Sequence, residues 1–140
     1  MTRDLLAVLP ADARRMGAND IEIADAQRQL GRVLPADFVK FIRGSNGAEG
    51  YLRQEVYVQL FRVGDLKEIN LAAAVDEFAP GLLIFGSDGQ GTSYAFDYHR
   101  PGVPVVAFKD EQMSRESASV VAGSFTDLIS NLINHLEPSG

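Results

Sequence analysis

Side-chain and backbone chemistry is densest in the run Gly86-Ser87-Asp88-Gly89-Gln90-Gly91. Glycines spaced this closely let backbone N–H groups approach an anion, as in a phosphate cradle. A nucleotide loop also needs a Lys with a following Ser/Thr and must open a helix, whereas here Thr92-Ser93-Tyr94 continue with strand composition. Asp-Gly between two apolar runs is a hairpin signal, and the stretch is predicted to be a turn. Asp88 and Asp97 form a conceivable carboxylate pair for acid–base work or a hard cation, but two carboxylates offer few oxygens and no further acidic cluster lies nearby in sequence. His99 with Asp97 and either Ser87 or Ser93 has the residue types of a nucleophile–base–acid trio. Neither serine sits in a Gly-x-Ser-x-Gly elbow. His135, the other histidine, falls in the last turn of a predicted helix, where the dipole favours its cation. The expected roles are turn stabilisation for Asp88, a partner-facing carboxylate for Asp97 and a loop position for His99, with no catalytic residue, cofactor or metal.

The remaining chemistry is that of contact. Asn46, Glu49 and Tyr51 follow one predicted helix, while Asp88, Gln90, Thr92 and Tyr94 flank the predicted hairpin. If a sheet brings these loops to one edge, they and Asp97 make a polar patch with aromatic anchors. Tyrosine suits such a patch because it couples a large apolar body to a polar tip. The competing reading leaves these tyrosines as ordinary half-buried sheet residues.

The elements that must position these residues are legible from periodicity. Asn19 with Glu22 has the form of a capping box, and Ile23, Ala26 and Leu30 recur at helical spacing. Pro35 suits a first helical position, and Phe38, Phe41 and Ile42 share a face before Asn46-Gly47 stops the helix. These two helices are expected to form a hairpin. Val56, Val58 and Leu60 alternate with Tyr57, Gln59 and Phe61, which predicts a strand, with Tyr51 to Gln54 as its partner. A middle helix is expected over 65–78, ended by Pro80-Gly81. Leu82 to Phe85, Ser93 to Tyr98 and Val103 to Phe108 then predict an antiparallel meander, with Arg100-Pro101-Gly102 as its second turn. The stretch 113–123 reads equally as strand or loop. Ser124 opens a final helix whose apolar stripe runs Phe125, Leu128, Ile129, Leu132, Ile133 and Leu136. The fold class is α+β: about four to six mostly antiparallel strands with these helices packed on them.

Composition narrows the partner. The chain has 140 residues, no Cys, and a formal charge of −6 with no basic run. Disulfides, thiolate metal sites and a Cys nucleophile are excluded. Nucleic acid is disfavoured, because its affinity draws on Lys and Arg neutralising phosphates. A basic protein partner would be steered inward. No apolar run approaches the ~20 residues that span a bilayer. Leu5 to Leu9, ended by Pro10, is too brief for a secretory segment. A cytoplasmic location without membrane association is expected, as a monomer or weak homodimer.

Three landmarks stand in order: Gln27-Arg28-Gln29-Leu30-Gly31-Arg32-Val33-Leu34-Pro35-Ala36-Asp37-Phe38 with Ser45-Asn46-Gly47, then Leu82 to Gly91 with Asp97 beyond, then Ser124-Phe125. Together they resemble the SUKH superfamily, which includes the yeast Smi/Knr cell-wall regulators and many bacterial toxin-immunity proteins. Gln27 stands where that family's first helix commonly carries a Glu, and the family's frequent Trp is absent. The resemblance implies a single domain over 1–140 with its core at about 18–136 and residues 1–17 as an extension. It also implies a non-catalytic role, in which a cognate polymorphic toxin is neutralised by direct contact, and the charge adds the expectation that the toxin domain is basic. A regulatory adaptor of the same fold is the alternative expectation, and a small hydrolase using Asp97 and His99 is the second.

Overall fold

The computed structural model describes residues 13–52 and 56–134. His135, Leu136 and the end of the predicted Tyr51–Gln54 strand lie outside the described residues. The first helix, α1 (Asp20–Leu30), starts on the expected capping box. Asn19 accepts from the Glu22 backbone N–H at 2.8 Å, and Glu22 accepts from the Asn19 N–H at 3.1 Å. Gly31 in the left-handed region ends it. Gln27 then reaches forward so that its Oε1 accepts the Leu34 N–H at 2.8 Å, clasping the loop into α2 (Ala36–Gly44). A glutamate could accept the same bond, so the departure at Gln27 leaves this clasp intact. Pro35 is the residue before α2 and not its first, its carbonyl accepting from Val39 at 3.0 Å. The start of α1 and the end of α2 meet through an Asp20–Arg43 ion pair, as a helical hairpin requires.

Among the described residues, six antiparallel strands follow in a meander of order β1-β2-β3-β4-β5-β6. They are β1 (Ala48–Leu52), β2 (Val56–Leu60), β3 (Leu82–Ser87), β4 (Thr92–Asp97), β5 (Val105–Lys109) and β6 (Ser119–Ala122). The stretch left open between strand and loop thus supplies β6, paired to β5 with Val120 opposite Val106. Residues preceding α1 join the other edge, where Arg14 bridges to Ala48.

The middle helix is not continuous. A 3-10 turn (Val63–Asp65) leads into α3 (Leu66–Ala72), and a separate turn α4 (Val75–Phe78) follows. The break falls at Ala74, whose backbone is left-handed at φ 55° and ψ 42°. It lets Val75 and Ala79 turn inward against the sheet after Leu66 has already been buried.

Alternation along the strands sends apolar side chains to both faces. Leu83, Phe85, Tyr94, Phe96 and Val105 join the larger core with α1, α2 and α5 (Phe125–Asn134). Leu82, Ile84, Ala95, Val106 and Phe108 form a smaller core with Val75 and Ala79 on the opposite face. Phe38 centres the larger core, with edge-on contacts to Phe85, Phe96 and Phe125 at centroid distances of 5.5, 5.3 and 5.0 Å. Such pairs add about 0.5–1.5 kcal/mol each beyond burial. Asp37 locks α2 to α5, since its Oδ2 accepts from both the N–H and the hydroxyl of Thr126 at 2.8 and 2.9 Å. Ser124 caps α5 as expected, accepting from the Asp127 N–H at 3.1 Å.

The pairing of β2 with β3 covers only Gln59–Ser87 and Leu60–Gly86. Further along, the backbone of Ile84 would be left without a partner strand. The Asn70 side chain on α3 fills the gap: its Oδ1 accepts the Ile84 N–H at 2.8 Å and its Nδ2 donates to the Ile84 carbonyl at 3.0 Å. This satisfies two buried-side polar groups that would otherwise cost roughly 1–3 kcal/mol each.

Candidate functional interface

Among the described residues, the face of the sheet that carries the smaller core is covered over β3 to β5, and no helix lies over β1 and β2. On those two strands Ala48, Leu52, Val58 and Leu60 point into the larger core, so the alternate residues point the other way. Register places Glu49 opposite Gln59 and Tyr51 opposite Tyr57. The two tyrosine rings meet edge to face at 5.2 Å. Tyr51 is 54% exposed, so the pair presents apolar ring to solvent. The Tyr57 hydroxyl donates to Glu49, which also pairs with Arg15 at 3.6 Å. The bond to Glu49, with smaller contributions from burial and from the glutamate's charge, raises the Tyr57 pKa, so the phenol stays protonated and donating.

The turn between β3 and β4 folds over this strip. Asp88 Oδ1 accepts the Gln90 N–H at 2.7 Å and the Thr92 N–H at 3.0 Å, and Ser87 Oγ accepts the Gly89 N–H at 2.9 Å. These bonds hold the turn as the sequence led one to expect for Asp88. Gly89 lies at φ 74°, and a Cβ there would sit 2.6 Å from the Tyr57 ring, so only glycine lets the turn close onto the tyrosine. The result is a shallow hollow of about 290 Å³ lined by Tyr51, Tyr57, Gln59, Asp88, Gly89 and Gln90.

Of the eight residues expected to face a partner, Tyr51, Asp88 and Gln90 line this hollow, Glu49 adjoins it and Thr92 buttresses its turn. Asn46 lies elsewhere, accepting the Val63 N–H at 2.9 Å and lining a separate hollow with Arg15, Met16 and Arg62. Tyr94 is 8% exposed and belongs to the larger core, where burial and then the charge of Asp88 raise its pKa. The expectation of an outward Tyr94 therefore fails, because its strand alternation points it at the helices.

Asp97 is also corrected. It is 2% exposed and surrounded by donors. The His99 N–H and Arg100 Nε reach it at 2.9 and 3.0 Å, and Arg115 grips both oxygens at 3.1 and 3.2 Å. Burial pushes its pKa up, but the Arg115 bonds, the His99 N–H and Arg100 outweigh it, and the net shift is down. Arg115 also donates to the Pro80 carbonyl at 3.0 Å. Asp97 is thus a clasp that ties the 113–118 loop to the end of β4, and no oxygen is turned to a partner.

The same geometry dissolves the trio. Ser93 and Asp97 are four strand residues apart, roughly 13 Å. Ser93 Oγ donates to Asp110, and the His99 ring is stacked over Gly81, where an added Cβ would lie 2.6 Å from it. Asp88 and Asp97 sit at opposite ends of β4, so the carboxylate pair does not form either. Among the described residues no three carboxylates or histidines gather as metal ligands, and no helix is long and apolar enough to cross a membrane.

Tyr57, Gln59 and Arg15 were not among the expected contact residues. The alternation of Val56, Val58 and Leu60 already turns Tyr57 and Gln59 away from the core, but the register that sets Tyr57 beside Tyr51, and the approach of Arg15 to Glu49, depend on tertiary structure.

No curated protein matches the chain at a significant level. The model of the SMI1 / KNR4 family (SUKH-1) matches residues 17–131, a span that runs from just before α1 to within α5. The landmark order of helical pair, Gly-rich hairpin and closing amphipathic helix is thereby accounted for, and the chain belongs to the SMI1 / KNR4 family (SUKH-1).

Proposed function

We propose that this chain is a protein-binding module of the immunity kind, which neutralises a cognate toxin domain by docking the open face of β1–β2 and the β3–β4 turn against it. The observation that carries the reading is the hollow itself: two tyrosines in edge contact, ringed by Glu49, Asp88 and Gln90, on a part of the sheet that no helix covers among the described residues. Aromatic anchors with a polar, acidic rim are what a protein interface uses to gain affinity and to repel wrong partners. The charge of −6 supports a basic partner. Membership of the family supports a binding role over a catalytic one.

The test is to find whether a toxin domain is encoded beside the chain and to titrate its purified product calorimetrically. Binding at nanomolar to low-micromolar Kd is expected, weakened at least tenfold by the double variant Tyr51→Ala, Tyr57→Ala. Absence of binding to the neighbouring product, with capture of a housekeeping protein at the same surface, would replace this reading with that of a regulatory adaptor.

A further inference from the structure

The tyrosine hollow does not end at β2. Cross-strand register sets Gln59 opposite Ser87 and Ser87 opposite Ser93, and Ser93 opposite Phe108, so one row of side chains runs from the hollow across β3 and β4 on the same face. Where that row reaches Ser93 the surface dips again. A second concavity of about 340 Å³ opens there, floored by Phe61, Ile84 and Phe108 and walled by Ile69 and Ala73 of the α3 end and by Met113. Its floor is apolar. Its lip is acidic, with exposed Asp110 held by the Ser93 hydroxyl. Neither concavity is lined by a Lys or Arg.

We infer that this pit is an anchor site for one apolar side chain of a basic segment of the protein partner, a statement that rests on the binding role proposed above. The occupant follows from charge and spacing. Asp88 and Glu49 rim the first hollow and Asp110 the second, so a segment crossing both meets carboxylates on either side of an apolar floor. The pit and the tyrosine hollow lie two strand spacings apart, about 10 Å, which an extended chain covers in about three residues. The segment therefore carries a Phe- or Leu-sized anchor with a Lys or Arg about three positions away. Met113 at the pit wall suits such a role, since its unbranched thioether adapts to the shape of what enters.

The probe is a capped heptapeptide of serines with phenylalanine at its centre and lysine at both ends, titrated to millimolar concentration into the 15N-labelled chain. Amide shifts are expected at Ile84, Phe108 and Met113 together with Tyr57 and Gln90. Replacing the phenylalanine by alanine should weaken binding about tenfold, the scale of one buried aromatic side chain. Asp110→Asn, on an exposed position with Ser93 still able to donate to it, should weaken the lysine peptide and strengthen, if anything, a glutamate-ended one. Shifts confined to Tyr51, Tyr57 and Gln90, with no dependence on the phenylalanine, would overturn the anchor site and leave the protein-binding face standing. No shift anywhere would also overturn it, while the calorimetric test with the toxin domain decides the wider reading separately.

Discussion

Asp97 shows how a single carboxylate can hold two distant pieces of chain. Its side chain is 3% exposed, while Arg115 and Arg100 remain 29% and 50% exposed. Breaking a fully buried pair costs roughly 3–5 kcal/mol, but both arginines keep contact with water, so Asp97→Asn is expected to cost about 2 kcal/mol. Urea denaturation followed by circular dichroism measures this. The pH dependence has a definite sign. The folded pKa lies below the unfolded value of 3.8, so the stabilisation is full above about pH 4 and drains away as pH falls through the folded value. Below pH 4 the wild type should lose stability more steeply than Asp97→Asn. At the other end of the neutral range Tyr98, pushed up to about 12 by burial despite the lowering effect of Arg32, stays protonated and donates to the Val33 carbonyl at 2.9 Å. Single residues of this sort were the hardest to read from sequence. Asp97 stood beside His99 as if for chemistry, and nothing local announced Arg115, which arrives from eighteen positions away. The chemistry of Asp88 was legible because its partners are Gln90 and Thr92, two and four positions off.

At the scale of elements the sequence was informative wherever the cause is local. The capping box of α1, the Ser124 cap and the α5 stripe as far as Ile133, the alternation of β2 and β4 and the apolar runs of β3 and β5 rest on near neighbours, and each has the expected structure. The middle helix was mispredicted as continuous because Ala73-Ala74 reads as strong helix, yet packing on both Leu66 and Val75 demands a change of direction. Ala74 absorbs it at φ 55°, a conformation that costs a residue with a Cβ about 1–2 kcal/mol. Glycine removes that cost but loses more entropy on folding. Ala74→Gly should therefore raise stability by about 0.5 kcal/mol, seen as a higher urea midpoint with unchanged slope. A drop in stability would show that the break is not strained. The edge of β3 makes the same point in reverse: Asn70 completes a ladder that β2 leaves unfinished, and a polar residue in a helix gives no hint of a strand it will pair with.

The whole molecule is a sheet loaded unequally on its two faces. Among the described residues, one face is sealed by α1, α2 and α5 around Phe38, and the other is covered only in its middle by α3, α4 and the 113–118 loop. That inequality leaves the β1–β2 strip and the adjoining pit as surface with aromatic floor and acidic rim. Five of the eight contact residues read from sequence gather at the hollow or its turn because they lie on β1 and the β3–β4 hairpin, whereas Asn46 lies elsewhere and Tyr94 and Asp97 face inward for reasons set by packing. The most direct test of the account is amide hydrogen exchange on the complex of the chain with a protein domain that it binds. Slowed exchange is predicted over β1, β2 and residues 87–92, with the exposed sides of α1, α2 and α5 unchanged. Protection confined to those helices, with Tyr51 and Tyr57 exchanging as in the free chain, would contradict it.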